Sequence, residues 1–168
     1  MRNRTAAAAA AGLALLVAGC SADRIERGVF HSSKGYRVSL PPNGWAVEPR
    51  GDADLELRRL VAPGGILADA SCGGKAPRRS LELLTRHLVF GLGEREVLED
   101  GAILVAGRTG VRRVVRGRLD GTPVTVEAVV LKEGHCVYDF LYVAPVDAFE
   151  AGRADFRTFV ESFSGEAR

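Results

Sequence analysis

The chain has 168 residues, of which 46% are hydrophobic and 26% are charged, and its formal net charge is +2. This balance is typical of one folded globular domain and excludes a disordered, collagen-like or multi-span membrane protein. Because so small a charge creates no strong field around the molecule, we expect no nucleic-acid partner.

The N-terminus has the pattern of an export signal. Arg2 and Arg4 precede an uninterrupted run of apolar and small residues over 6–18. At about 1.5 Å per residue this run makes a helix of roughly 20 Å, which is short of the roughly 30 Å hydrocarbon core of a membrane. The segment is therefore interpreted as a cleavable signal peptide rather than a permanent membrane span.

A cysteine follows this run directly. Val17-Ala18-Gly19-Cys20 resembles the lipobox of bacterial lipoproteins. The resemblance implies that residues 1–19 are removed and that Cys20, the new first residue, carries lipid that holds the protein on a membrane of the bacterial cell envelope, facing the periplasm or the exterior. Ser21, in place of an acidic residue, favours the outer membrane where a cell has two membranes. The alternative is a plain secretory signal with an incidental cysteine.

The first half of the mature chain is predicted to contain short strands and one helix. Residues 20–29 are polar and charged and are interpreted as a tether, whereas 30–165 is expected to form a single domain. Ser80 is expected to cap a helix that turns Thr85 toward water. Alternating apolar and polar residues predict antiparallel strands at 36–40, 45–47, 55–60 and 66–72.

The second half is predicted to be an antiparallel meander with strands at 102–106, 111–119, 122–131 and 136–143. Asp120-Gly121 predicts a two-residue turn, which sets Arg113 opposite Ala128 on an inner face and Val114 opposite Glu127 on an outer face. We expect the outer face to be exposed to water and Glu127 to pair with an arginine cluster in the same hairpin. The alternative is that this cluster binds phosphate. This arginine cluster consists of Arg108, Arg112, Arg116 and Arg118.

The chain is predicted to end in a helix that follows Pro145, with Asp147 as its N-cap and Glu150 three residues later, a capping-box arrangement. An aromatic stripe then recurs at helical spacing and is interpreted as core rather than as a ligand-binding or lipid-binding face. It consists of Phe149, Phe156, Phe159, Val160 and Phe163. The order of elements predicts an α+β fold, a curved, mostly antiparallel sheet flanked by helices.

A family resemblance supports this fold. The stretch 35–41, with Tyr36 and Pro41, then Gly44-Trp45 and the late Ser162-Phe163, resembles the PsbP-like superfamily, whose members combine these features. The resemblance implies an α/β/α sandwich and a non-catalytic domain that binds partners, and bacterial members are often envelope lipoproteins. The photosynthetic role of some members does not carry over, because no partner-binding residue can be matched.

The familiar catalytic motifs are missing from the sequence. It contains no G-x-x-x-x-G-K-[ST] phosphate loop, no G-x-S-x-G serine elbow, no H-E-x-x-H pair and no C-x-x-C. The three histidines, His31, His87 and His135, fall on separate predicted elements, so we expect neither a metal site nor a cofactor.

Two cysteines remain once Cys20 is set aside. Cys72 and Cys136 each lie at the end of a predicted strand, and export to an oxidising compartment favours a disulfide between them. The alternative is two free buried thiols.

Two carboxylates, Asp69 and Asp139, interrupt apolar strands. We expect one of them to pair with Arg113 as a structural ion pair, although a bulge at Arg113 is the alternative. The leading hypothesis is a lipid-anchored, non-catalytic envelope module that binds or assembles with a partner protein. The alternatives are an envelope hydrolase that uses Asp69, Asp139 or His87, and a carrier of a small apolar ligand held between sheet and helix.

Overall fold

The computed structural model describes residues 22–49, 51–74 and 78–165. All strand pairs in this part of the chain are antiparallel, and the predicted α+β class is confirmed. The strands are β1 Arg24–Glu26, β2 Val29–His31, β3 Tyr36–Ser39, β4 Trp45–Val47, β5 Leu55–Arg59, β6 Gly65–Cys72, β7 Gly93–Val105, β8 Arg108–Leu119, β9 Thr122–Glu133, β10 Cys136–Pro145 and β11 Ser164–Gly165. The helices are α1 Leu81–Leu88 and α2 Glu150–Glu161.

The strands form a large and a small sheet. The large sheet has the order β4-β5-β6-β10-β9-β8-β7, and the small one has the order β1-β2-β3-β11. Strand β10 joins the early strands β4 to β6 to the later strands β7 to β9, since it pairs with β6 on one side and with β9 on the other. None of the described helices is long and apolar enough to cross a membrane.

Apolar cores cover both faces of the large sheet. On one face, α2 and the small sheet pack against β5 to β10 in the larger core, which contains the whole predicted aromatic stripe. On the other face, Val89 and Leu92 after α1 pack against Val115, Val126 and Ala128. The result is the predicted α/β/α layering.

The central hairpin has the predicted register. Leu119 pairs with Thr122, Arg113 with Ala128 and Val114 with Glu127. Positive φ angles of 49° at Asp120 and 81° at Gly121 give the tight turn that twisted strands require. This local turn chemistry is why the register could be predicted without knowing the rest of the fold.

The prediction that the Val114 face is wet was wrong. Val114 and Glu127 are each 1% exposed, because α2 packs over this face. Thr85 was also predicted to face water, but it is buried and its hydroxyl donates to the Leu81 carbonyl at 2.8 Å. That bond removes the cost of burying the hydroxyl, and so a polar side chain can face the sheet.

The predicted capping box of α2 was also wrong. The helix begins at Glu150 after Phe149, and no side chain caps it. Residues 145–148 instead form a turn, in which the Ala148 amide donates to the Pro145 carbonyl at 3.0 Å. Phe149 is buried against Tyr142, whose hydroxyl donates to the Phe149 carbonyl at 3.0 Å. Packing of this aromatic pair therefore determines where the helix starts.

Three short strands, β1, β2 and β11, lie where the sequence predicted none, and β7 is longer than predicted. β1 and β2 form a hairpin, so the tether predicted over 20–29 is folded from Arg24 onward. β7 starts at Gly93, nine residues before the predicted start at Ala102. It is an exposed edge strand with register shifts between Gly93 and Glu96 and between Val97 and Glu99, and these irregularities hide the two-residue period.

Candidate functional site

The two carboxylates singled out in the sequence lie side by side. Asp69 on β6 and Asp139 on β10 are direct partners in the antiparallel register. Oδ1 of Asp139 is buried and lacks a hydrogen-bond partner among the described residues. Burial, and to a lesser extent the charge of Asp69, raises the pKa of Asp139 to about 7. Asp139 can therefore hold a proton close to neutral pH, as a general acid does.

A lysine neutralises the neighbouring acids. Lys34, in the turn between β2 and β3, places Nζ 2.6 Å from Oδ1 of Asp54 and 3.0 Å from Oδ1 of Asp69. The other oxygen of Asp54 accepts the Tyr36 hydroxyl and the Ala70 amide, each at 3.0 Å. Desolvation raises the pKa of Asp54. This carboxylate cluster of Asp54, Asp69 and Asp139 thus ties the small sheet to the large one through Lys34.

The predicted pairing of Arg113 with Asp69 or Asp139 was wrong. Nη2 of Arg113 instead pairs with Asp100 on β7. Arg113 is on β8, two strands from β10, a separation of roughly 10 Å across the sheet, whereas β7 is its immediate neighbour. The buried-arginine alternative holds, since Arg113 is 9% exposed and directly opposes Ala128 without a bulge.

The arginine cluster is paired with carboxylates, as expected, but only Arg112 reaches Glu127. Arg108 pairs with Glu133 at 2.6 Å, Arg116 with Glu96 at 3.3 Å and Arg118 with Glu94 at 3.7 Å. Two of these partners, Glu94 and Glu96, are on the part of β7 that precedes the predicted strand at 102–106.

Glu127 is the centre of a buried ion network beneath α2. Its Oε1 accepts from Nε of Arg112 at 2.5 Å, and its Oε2 accepts from Nε of Arg153 at 2.8 Å. Both arginines also bind Glu99 on β7, and these bonds, from Arg153 first and then Arg112, lower the pKa of Glu99 to about 2. The network therefore fastens α2 to β7, β8 and β9.

The predicted disulfide is confirmed. Cys72 and Cys136 are direct partners of β6 and β10 and are bonded to each other. The imidazole of the adjacent His135 lies close to both sulfurs, so these three side chains are grouped as metal ligands are. Bonded sulfurs are not thiolates, however, and the oxidised group has no thiolate to offer a metal ion.

The remaining site residues fall in separate places. Cys20 and its lipobox lie outside the described residues. His31 ends β2, whereas His87 is exposed near the end of α1. His87 lies beside β8, so the structure does not bring it to the Asp69–Asp139 pair on β6 and β10.

A cavity of about 330 Å³, which we call the α2 cavity, lies between α2 and the large sheet. Phe156 and Val160 of α2 form one wall, and Ile103 and Val129 form the other. Arg112, Glu127, Arg157 and Glu161 also line it, so apolar walls meet charged groups there. This is the place that the carrier alternative would require for a small apolar ligand.

Solved structures with the same architecture identify the fold. Cyanobacterial PsbP (CyanoP) from Synechocystis has a TM-score of 0.58 and 15% identity, with 81% of this chain and 89% of that chain covered. LpqN, described as involved in cell envelope biogenesis of Mycobacterium tuberculosis, has a TM-score of 0.58 and 16% identity, with 77% and 84% covered. The chain has the PsbP-like fold. No protein-family profile and no curated protein matches the sequence.

Proposed function

We propose that this PsbP-like domain is a lipid-anchored module of the bacterial cell envelope that binds a partner protein and has no catalysis of its own. The observation that carries the proposal is the position of the lipobox cysteine, because Cys20 precedes the first residue of β1, Arg24, by only four positions. A lipid there would hold the folded domain close to the bilayer surface. LpqN, with the same fold, is described as an envelope-biogenesis protein, which supports the compartment.

The carboxylate cluster supports a structural role more than a catalytic one. Lys34 joins Asp54 and Asp69 in one ion cluster, and Asp54 is further bound by Tyr36. Neither Asp69 nor Asp139 lines the α2 cavity, and His87 lies elsewhere. Asp69 therefore helps to join the two sheets and His87 stands apart, which leaves Asp139, with its unpartnered Oδ1, as the group that the hydrolase alternative would use.

Replacing Cys20 by alanine should abolish the lipid anchor. The thiol is the atom that would accept the lipid, so labelled palmitate should be absent from the Cys20→Ala protein and the signal peptide should stay attached. The matched control is Cys72→Ala, which removes a cysteine of the disulfide and should keep the label. Palmitate labelling of the Cys20→Ala protein would show that the lipobox assignment is wrong.

Crosslinking in intact membranes tests the binding role. We expect the full chain to be crosslinked to one partner protein in stoichiometric amount, and we expect Cys20→Ala to lose that product because the domain lacks the lipid that would anchor it beside its partner. Turnover of an ester, phosphoester or glycoside that Asp139→Asn abolishes would establish the hydrolase instead. A small apolar molecule extracted from the purified protein would favour the carrier, with the α2 cavity as its place.

A further inference from the structure

A second cavity lies on the opposite face of the large sheet, between α1 and the strands β7 and β8. It has a volume of about 420 Å³, and we call it the α1 groove. Three arginines line it, Arg86 from α1, Arg95 from β7 and Arg113 from β8, together with His87. No carboxylate is among the residues that line it. The lining therefore carries positive charge, which Asp100 offsets in part as the partner of Arg113.

Two arginines of the α1 groove, Arg86 and Arg95, differ from the arginine cluster of β8. Arg108, Arg112, Arg116 and Arg118 each pair with a carboxylate, but Arg86 and Arg95 form no ion pair within the described ranges. The hydrogen bond that Arg86 forms there goes to the backbone carbonyl of Glu82, at 3.3 Å. Glu82, one helix turn before Arg86, interacts with it through charge without an ion-pair contact, and so both guanidinium groups at the rim can still donate to an external anion.

Arg113 adds a buried donor to the same groove. It is 9% exposed, and although Nη2 pairs with Asp100, its Nε is buried with no hydrogen-bond partner among the described residues. A buried N–H without an acceptor is costly, and an anion in the groove would supply one.

Apolar side chains form the rest of the α1 groove. Leu83, Val89 and Val115 line its walls, and Phe90 and Val97 stand at its rim with 74% and 55% of their surfaces exposed. The guanidinium carbon of Arg95 lies 5.5 Å from the centre of the Phe90 ring. Charge and exposed apolar surface therefore occur together, an arrangement that suits an amphiphile better than a simple ion.

We propose that the α1 groove binds an anionic amphiphile, with its phosphate or carboxylate headgroup at Arg86, Arg95 and Arg113 and its alkyl chain along Leu83, Phe90 and Val97. This site is on the opposite face of the sheet from the α2 cavity and does not depend on a lipid at Cys20. The ligand is either a soluble single-chain amphiphile or an acidic phospholipid of the bilayer, which share this headgroup and chain chemistry.

Photocrosslinking of the full-length chain in phosphatidylcholine vesicles tests the site. The probe is dodecyl phosphate with a diazirine in its chain, and labelled peptides are mapped by mass spectrometry. We expect labelling within 83–97, reduced about tenfold or more by Arg86→Ala combined with Arg95→Ala, since each charged hydrogen bond lost weakens binding by at least that order. The matched control, Arg116→Ala combined with Arg118→Ala, removes two carboxylate-paired arginines outside the groove and should leave labelling unchanged.

Four results would overturn the proposal, and three of them concern the labelling: labelling spread evenly over the chain, equal loss in the control variant, or equal labelling by an uncharged dodecyl glucoside probe. Inorganic phosphate that competes as strongly as unlabelled dodecyl phosphate would also overturn it, because the chain would then contribute nothing. Phosphatidylglycerol added to the vesicles distinguishes the two sources: competition identifies the bilayer lipid as ligand, and its absence identifies the soluble amphiphile. Both outcomes support an anionic amphiphile in the α1 groove.

Discussion

Asp139→Asn should stabilise the protein above neutral pH and leave its stability near pH 4 unchanged. The pKa of Asp139 is about 7 in the folded protein, against an ordinary value near 4, so the folded state holds this proton more tightly than the unfolded state. The free energy of unfolding therefore falls as pH rises from about 4 to about 7, by up to about 1.4 kcal/mol per pH unit, and this group changes it no further above that range. The variant, which has no proton to lose, should gain about 2 to 4 kcal/mol at pH 8.

Urea unfolding followed by the fluorescence of Trp45, the only tryptophan, measures this effect. The difference between wild type and variant at each pH isolates Asp139 from the other titrating groups. Asp69→Asn is the matched control, because it removes the like charge opposite Asp139. In this variant the loss of stability with rising pH should have its midpoint at a lower pH than in the wild type. Parallel pH profiles for wild type and Asp139→Asn would show that Asp139 is ionised in the folded protein at neutral pH.

The features predicted correctly from the sequence depend on local chemistry. The Asp120-Gly121 turn determines the register of the hairpin by itself, and the aromatic stripe of α2 has a helical period that residues elsewhere do not alter. The Cys72–Cys136 bond was predicted from strand ends and an even cysteine count. The turn and the stripe are determined by neighbouring residues, and the disulfide needs a single long-range partner.

The incorrect predictions concern long-range packing, that is, which parts of the chain pack against each strand or helix. Val114 and Glu127 oppose each other on a face that also carries Arg112 and Arg116, and the hairpin register cannot show that α2 returns to cover this face. Edge strand β7 lacks alternation because its residues are exposed and its register shifts twice. The N-terminus of α2 is determined by packing of Phe149 on Tyr142, which overrides the capping signal at Asp147.

In the candidate sites, too, single residues could be identified from the sequence, but their long-range contacts could not. Asp69 and Asp139 could be noted as acids within apolar strands, but their pairing required the order of β6 and β10, which are far apart in the chain. The α1 groove was missed because Arg86, Arg95 and Arg113 come from three elements and follow no motif. The sequence offered no clear signal for it, since Glu82 lies one helix turn before Arg86, at the spacing of an acid that pairs with it.

Glu127→Ala should strongly destabilise the packing of α2 on the large sheet. The carboxylate is 1% exposed and bridges Arg112 and Arg153, whose side chains are 21% and 13% exposed. Its removal leaves two largely buried guanidinium groups with exposed partners alone: they share Glu99, and Arg153 also binds Glu150 at 3.2 Å. Breaking a buried ion network by removing one partner costs about 3 to 5 kcal/mol, and we expect a loss of that size in urea unfolding.

Two further variants separate loss of charge pairing from loss of packing. Glu48→Ala removes a carboxylate that binds Arg58 at 2.6 Å on the surface, and screening by water should limit its cost to under about 1 kcal/mol. Replacing Glu127, Arg112 and Arg153 together by leucine and two methionines removes every charge of the buried set except Glu99, so it should restore much of the stability that Glu127→Ala loses. If instead the triple variant is less stable than Glu127→Ala, the network stabilises the protein by its own attraction, and the unpaired arginines are not the source of the loss.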